Sequence, residues 1–176
     1  MAYAIVMCFD PETERKIRTV WEKLAGGGVN FSPLNSGWRP HISLAVFDRL
    51  DVADAKAKLE LFSSGISSFR LMLSNLGVFA GEESVLFLSP VVNERLLRTH
   101  RDLHRLFEDY ADAEWEYYLE ERWVPHCTLA ERLPRSIVPK AAEIACEISL
   151  PINALAEDIA LVEFRPVKEL CAFKLR

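Results

Sequence analysis

The strongest constraint on this chain is an octapeptide written twice. Residues 38–45 read WRPHISLA and residues 123–130 read WVPHCTLA, with five of the eight positions identical. His126 follows His41 by 85 positions (126 − 41), and Phe164 follows Phe79 by the same interval (164 − 79). Ser136, ahead of a helical pattern, likewise lies 85 after Asp51, which heads the earlier one (136 − 51). One offset thus carries strand, helix and strand patterns through both parts of the chain. Upstream, Pro11 and Pro90 are 79 apart (90 − 11), a difference assigned to loop length. The repeat predicts a single domain of 176 residues in two pseudo-symmetric halves, about 1–82 and 83–176. Each half is a strand-helix-strand-helix-strand unit, with one extra strand at the end.

The local patterns agree. Residues 3–9, YAIVMCF, form an apolar run suited to a buried strand. Asp10 and Pro11 supply an N-cap and a first-turn proline, and Ile17, Val20, Trp21 and Leu24 follow at helical spacing until Gly26-Gly27-Gly28 stops them. Asp51 caps a second helix with Val52, Ala55, Leu59 and Phe62 on one face, ending at Gly65. Strand patterns occupy 68–79 and 84–88, with a turn at Gly81. Ser89 and Pro90 read as the cap of a third helix running to about Tyr110, and Ile137, Ala141, Ile144 and Ile148 mark a short fourth one. INAL, DIALVEF and ELCAFKL read as closing strands.

Composition narrows the partners. The net charge is −5 and the pI about 5.5, the wrong sign for a protein that neutralises a long phosphate backbone. A short strand end or a single nucleotide is compatible. The four cysteines, Cys8, Cys127, Cys146 and Cys171, show no CxxC or ligand-like pairing and read as thiols of a reducing cytoplasm. No apolar run approaches a membrane span, and the N-terminal run lacks the features of a secretory leader. A cytoplasmic protein, monomeric and without a membrane partner, is expected.

In a strand the side chains alternate faces, so His41 and Ser43 share one face while Ile42 and Leu44 share the other. The same parity pairs His126 with Thr128 and opposes both to Cys127 and Leu129. Arg39 has the parity of His41, and Arg132 that of His126 if the strand extends so far. One such pair alone would be an ordinary solvated strand face. Two pairs, related by a two-fold repeat, would face one groove. There two imidazoles with pKa values near 6.5 could serve as base and acid around a group held between them. The hydroxyls could donate to phosphate oxygens.

The duplicated H-h-S-h and H-h-T-h pairs (h, apolar) in an α+β chain resemble the two-histidine (2H) phosphoesterase superfamily. Within it, the chain is similar to the 2′-5′ RNA ligase and RNA 2′,3′-cyclic phosphodiesterase group. The resemblance covers essentially the whole chain. It implies a duplicated two-lobed fold, each lobe an antiparallel sheet backed by helices, around a central cleft. It also implies metal-independent, cofactor-free hydrolysis of a 2′,3′-cyclic phosphate, on an RNA end or a small nucleotide, or of a 2′-5′ linkage, with 2′-5′ RNA ligation as a further activity. His41 and His126 would share the roles of base and acid, Ser43 and Thr128 would hold the phosphate, and Arg39 and Arg132 would be its cationic neighbours. One departure stands out: where family members carry an arginine after the second motif, Glu131 precedes Arg132 here. A non-catalytic nucleotide- or RNA-binding module on the same fold is the alternative.

Other patterns carry less. His100 and His104, four apart, have a spacing that can hold a metal, but they share a face with Leu96, Leu103 and Phe107 and read as a helix packed on a sheet. The HRDL letters there lack the asparagine of a kinase loop, since Phe107 stands in its place. Cys127 points away from His126 and is no nucleophile beside it. Trp38 and Trp123 read as packing residues, while Trp115, Tyr117 and Tyr118 fit either packing or base stacking.

Overall fold

The computed structural model describes residues 2–29 and 33–176. Among them run β1 (Ala2–Phe9), α1 (Pro11–Gly26), β2 (His41–Phe47), α2 (Val52–Gly65), β3 (Phe69–Phe79), β4 (Glu83–Pro90), α3 (Glu94–Leu106), β5 (Cys127–Pro134), α4 (Val138–Ala145), β6 (Ile152–Phe164) and β7 (Lys168–Lys174). Local chemistry explains the helix starts. The Asp10 carboxylate accepts from the N–H groups of Glu12 and Thr13, and Asp51 does the same for Ala53 and Asp54, so each satisfies otherwise orphaned donors. Gly28, at φ 78°, turns the chain out of α1 in a conformation that disfavours a Cβ.

All strand pairs are antiparallel, in the order β2-β1-β6-β3-β4-β5 with β7 beside β6. The order reads the same from either end when β1, β2 and β3 are exchanged for β4, β5 and β6. The third strand of each unit pairs with the first strand of the other as well as with its own counterpart, β6 beside β1 and β3 beside β4. The expected antiparallel sheets of the two lobes are thus joined through β3 and β6, the fold being α+β with helices backing the sheet.

One face of the sheet meets the helices. Ile5, Met7 and Phe9 of β1 pack there with Ile17, Trp21 and Leu24 of α1, Leu59 of α2, Leu103 of α3 and Ala141 of α4 in one buried cluster. Each fully buried Leu or Phe contributes about 2 kcal/mol over leaving it in water. The alternate β1 residues Ala4, Val6 and Cys8 belong to a second cluster on the opposite face, with Val46, Ala160 and Val162. Being buried on both faces accounts for the unbroken apolar run of β1.

Two elements differ from the sequence reading. Ser89 and Pro90 end β4, where Pro90 pairs with Leu73, and α3 is capped instead by Asn93, whose side chain accepts from Leu96 N–H. Asn93 holds a side-chain acceptor in position for the first turn, whereas the strand pairing already occupies Pro90. INAL and DIALVEF are one strand, β6, because pairing with β3 in its first half passes directly to pairing with β1 in its second.

Candidate active site

The two Trp-x-Pro-His segments have the same local geometry. His41 Nδ1 lies 2.6 Å from the Arg39 carbonyl, and His126 Nδ1 lies 2.7 Å from the Val124 carbonyl. A carbonyl only accepts, so each Nδ1 carries a proton and donates it. Each Nε2 is left as the nitrogen available for chemistry. The intervening prolines, Pro40 and Pro125, are buried and hold the preceding residue extended, which aims its carbonyl back at the ring. His41 opens β2, and His126 immediately precedes β5.

The edge strands β2 and β5 meet across the molecule. Trp123 Nε1 donates to the Ser43 carbonyl at 2.9 Å, and Trp21 Nε1 to the Thr128 carbonyl at 3.1 Å. The buried Cys127 side chain lies near the His41 backbone. His41, Ser43, His126 and Thr128 consequently line one cleft of about 630 Å³. The imidazoles are close enough that a proton on one disfavours a proton on the other. Burial, the larger effect, and this repulsion push the His41 pKa down to about 4. Burial also lowers that of His126. With both pKa values lowered, both rings are neutral at pH 7. Burial pushes the Cys127 thiol up to about 12, as expected of a core residue.

The cleft has two unlike walls. Trp38, Trp115, Tyr118, Phe164 and Val167 pack on the small residues of the second cluster and form an aromatic wall. Glu83, Val85, Glu131 and Arg132 form the other wall. Trp38 stacks on His41, with ring centres 4.7 Å apart at 30°, so it flanks the site rather than plugging a lobe. Its repeat counterpart Trp123 does pack, stacking on His100 at 3.8 Å and 10°. His126 is instead held by rings on its side of the cleft, Phe79 at 4.9 Å and Phe87 at 5.3 Å. Phe87 lies directly over Gly77, where a Cβ would meet the ring.

Trp115 and Tyr118 arrive from residues 107–122, a segment of two short 3₁₀ turns fastened to the end of β2. Trp115 N–H donates to the Val46 carbonyl and its indole to Asp48, and Asp48 N–H donates to the Ala113 carbonyl, all at 2.8 Å. The Tyr118 phenol lies near Ser43, and burial pushes its pKa up. Tyr117, 70% exposed, points away. His100 and His104 fasten the same segment from below. Their Nε2 atoms reach the carbonyls of Tyr118 (2.9 Å) and Leu44 (3.1 Å), and His104 Nδ1 lies 3.0 Å from Glu114 Oε1. Both rings thus tie α3 to β2 and to the segment that carries Trp115 and Tyr118.

The structure separates the two arginines. Arg39 is held by Glu14 at 2.7 Å, Asp158 at 3.1 Å and Glu169 at 3.4 Å, three carboxylates around one guanidinium, and does not line the cleft. The motif's parity was no guide, because Arg39 lies before β2 begins. Arg132 does line the cleft. Its route there is irregular: β5 takes one extra residue between the pairs Phe87–Thr128 and Leu86–Ala130, and another between Leu86–Ala130 and Ser84–Leu133. Between these shifts the in-out alternation reverses, which turns Glu131 off the core face and onto the cleft. Arg132, at φ 53°, sits in the second shift. Simple alternation from Thr128 would have put Glu131 with Leu129 and Leu133 in the core.

A family model described as the 2′-5′ RNA ligase superfamily matches residues 9–167. The fold is similar to that of the crystal structure of TT0787 of Thermus thermophilus, at 20% identity and TM-score 0.68, covering 100% of this chain and 98% of that one. It is also similar to E. coli LigT complexed with 3′-AMP, at 17% identity and TM-score 0.59, covering 98% and 97%. LigT complexed with NADP+ aligns at 17% identity and TM-score 0.53, over 98% and 96%. No curated protein matches the chain by sequence.

Proposed function

The chain belongs to the 2′-5′ RNA ligase superfamily, and we propose that it is a metal-independent phosphoesterase that opens 2′,3′-cyclic phosphates, with 2′-5′ phosphodiester bonds as its second substrate. The observation that carries this reading is the pair of imidazoles, each with Nδ1 fixed by the carbonyl two residues upstream and Nε2 free, on one cleft with Ser43 and Thr128.

In this mechanism one neutral Nε2 takes a proton from water as the water oxygen bonds to phosphorus. The other, as imidazolium, gives its proton to the ribose oxygen as the phosphorus–oxygen bond breaks, and the rings end with their protons exchanged. The phosphate anion supplies the second proton's stability, since a negative charge between the rings raises the pKa values that burial has lowered. Burial and its partner lower the His41 pKa, so His41 is assigned as the ring that stays neutral and receives the proton from water, and His126 as the ring that carries the imidazolium proton. Ser43 and Thr128 donate to the non-bridging oxygens. Of the two arginines, Arg132 is assigned to the phosphate and Arg39 to the scaffold. The base of the nucleotide lies on the aromatic wall, where Trp115 and Phe164 meet edge to face. That LigT crystals hold 3′-AMP and NADP+ supports a small nucleotide ligand. In reverse, the same groups join a 2′-hydroxyl to a cyclic phosphate, the 2′-5′ ligation.

The test is hydrolysis of adenosine 2′,3′-cyclic phosphate and of a short cyclic-phosphate-ended RNA in the presence of EDTA. Turnover by the wild type and a loss of at least about 100-fold in both His41→Ala and His126→Ala is expected. Activity surviving either substitution would overturn the two-histidine mechanism. Among the described residues no helix is long and apolar enough to cross a membrane.

A further inference from the structure

We propose that Glu83 and Glu131 make the cleft selective for substrates with a single phosphate, so that its preferred substrate is a mononucleoside cyclic phosphate rather than the end of a strand. The inference rests on the reading above, in which the phosphate lies between the histidines and the base on the aromatic wall. What remains of a substrate, its 5′ side, then meets the opposite wall.

That wall is negative by construction. Glu131 reaches the cleft only because two register shifts reverse the alternation of β5, and Arg132 occupies a left-handed backbone conformation there. Such a conformation costs about 1 kcal/mol or more for a side-chain-bearing residue and persists where the surroundings hold it. Glu83, from the paired strand β4, lies on the same wall with no ion pair among the described residues. Glu131 has one partner, Arg132 at 3.8 Å, with side chains 48% and 71% exposed, too loose a pair to cancel its field. Arg39, the cation nearest His41 in sequence, is occupied by Glu14, Asp158 and Glu169. One phosphate finds Arg132 and the hydroxyls. The cleft's other arginine, Arg165, lies over the Phe164 ring on the aromatic wall, so a second phosphate on the opposite wall finds two carboxylates, and like charges brought together on binding are rejected.

The experiment compares kcat/KM for adenosine 2′,3′-cyclic phosphate with that for its 5′-phosphorylated form and for a cyclic-phosphate-ended trinucleotide. It uses the wild type and the double variant Glu83→Gln/Glu131→Gln. The wild type should favour the singly phosphorylated substrate by roughly tenfold or more at low salt. In the double variant the ratio should fall toward one. It should also fall in the wild type at about 1 M salt, where the screening length drops from about 10 Å to about 3 Å. A wild-type preference for the strand end, or a ratio unchanged by the double substitution and by salt, would overturn the proposal. Calorimetric binding of adenosine 2′-phosphate against adenosine 2′,5′-bisphosphate reads the same ratio without turnover. A protein that discriminates in binding but hydrolyses nothing would refute the assigned reaction and leave the selectivity standing. Equal binding of the two ligands would refute the selectivity itself.

Discussion

Replacing Arg39 by Leu separates the two roles open to it. Its guanidinium, 28% exposed, holds Glu14 (16%), Asp158 (5%) and Glu169 (42%). Asp158 already has one buried carboxylate oxygen without a hydrogen-bond partner, and its other cation, Lys174, stands off at 3.6 Å. Removing the guanidinium leaves that buried charge poorly compensated. Breaking a buried pair in this way costs about 3–5 kcal/mol, and the residual exposure of Arg39 and Glu169 places the loss near the lower figure, about 3 kcal/mol. With a urea m-value of about 2 kcal/mol/M, the unfolding midpoint should fall by about 1.5 M, followed by tryptophan fluorescence. Adding Asp158→Asn should restore about 1 kcal/mol or more, since the coupled charge is removed with its partner. Phosphate affinity, measured by calorimetry below the transition, should change little. A variant that unfolds at the wild-type urea concentration but loses phosphate affinity would refute the assignment of Arg39 to the scaffold.

The histidines should be legible by NMR: the His41 ring titrates near pH 4, and burial lowers the His126 titration below its ordinary range. Inorganic phosphate should raise at least one of them, and two rings titrating at 6.5 would remove the basis for assigning base and acid. Because folding lowers these pKa values, the unfolded chain binds more protons between about pH 4 and 6.5, so stability falls as the pH drops through that window and is regained toward neutrality. Gly77→Ala should displace Phe87 and destabilise by about 1–3 kcal/mol. That is a melting-point loss of at least about 2 °C, accompanied by a shifted His126 titration but an unchanged His41 titration.

Much of this protein was readable from local periodicity. Alternation along β2 assigns His41 and Ser43 to one face and Ile42 and Leu44 to the core, and the last two are fully buried. Helical spacing placed Ile17, Val20, Trp21 and Leu24 together, and all four are buried. The recurrence of Trp-x-Pro-His pointed to the four residues that line the cleft, because the proline and the carbonyl before it act on a ring only one or two residues away. Such properties depend on neighbours along the chain, so the sequence by itself determines them.

Other features depend on groups far apart in sequence, and only the tertiary structure decides them. Arg39 meets Glu14, Asp158 and Glu169 at separations of 25, 119 and 130 residues, and nothing near Arg39 signals that its charge is taken. Trp38 and Trp123 occupy the same repeat position, yet one stacks on His41 and the other on His100, because their neighbours come from unlike segments. Glu131 turns to the cleft only because β5 pairs out of step with β4. Periodicity specifies which face a side chain occupies while the ladder is regular. Which charges meet, and where the ladder slips, follow from the closure of distant strands on one another.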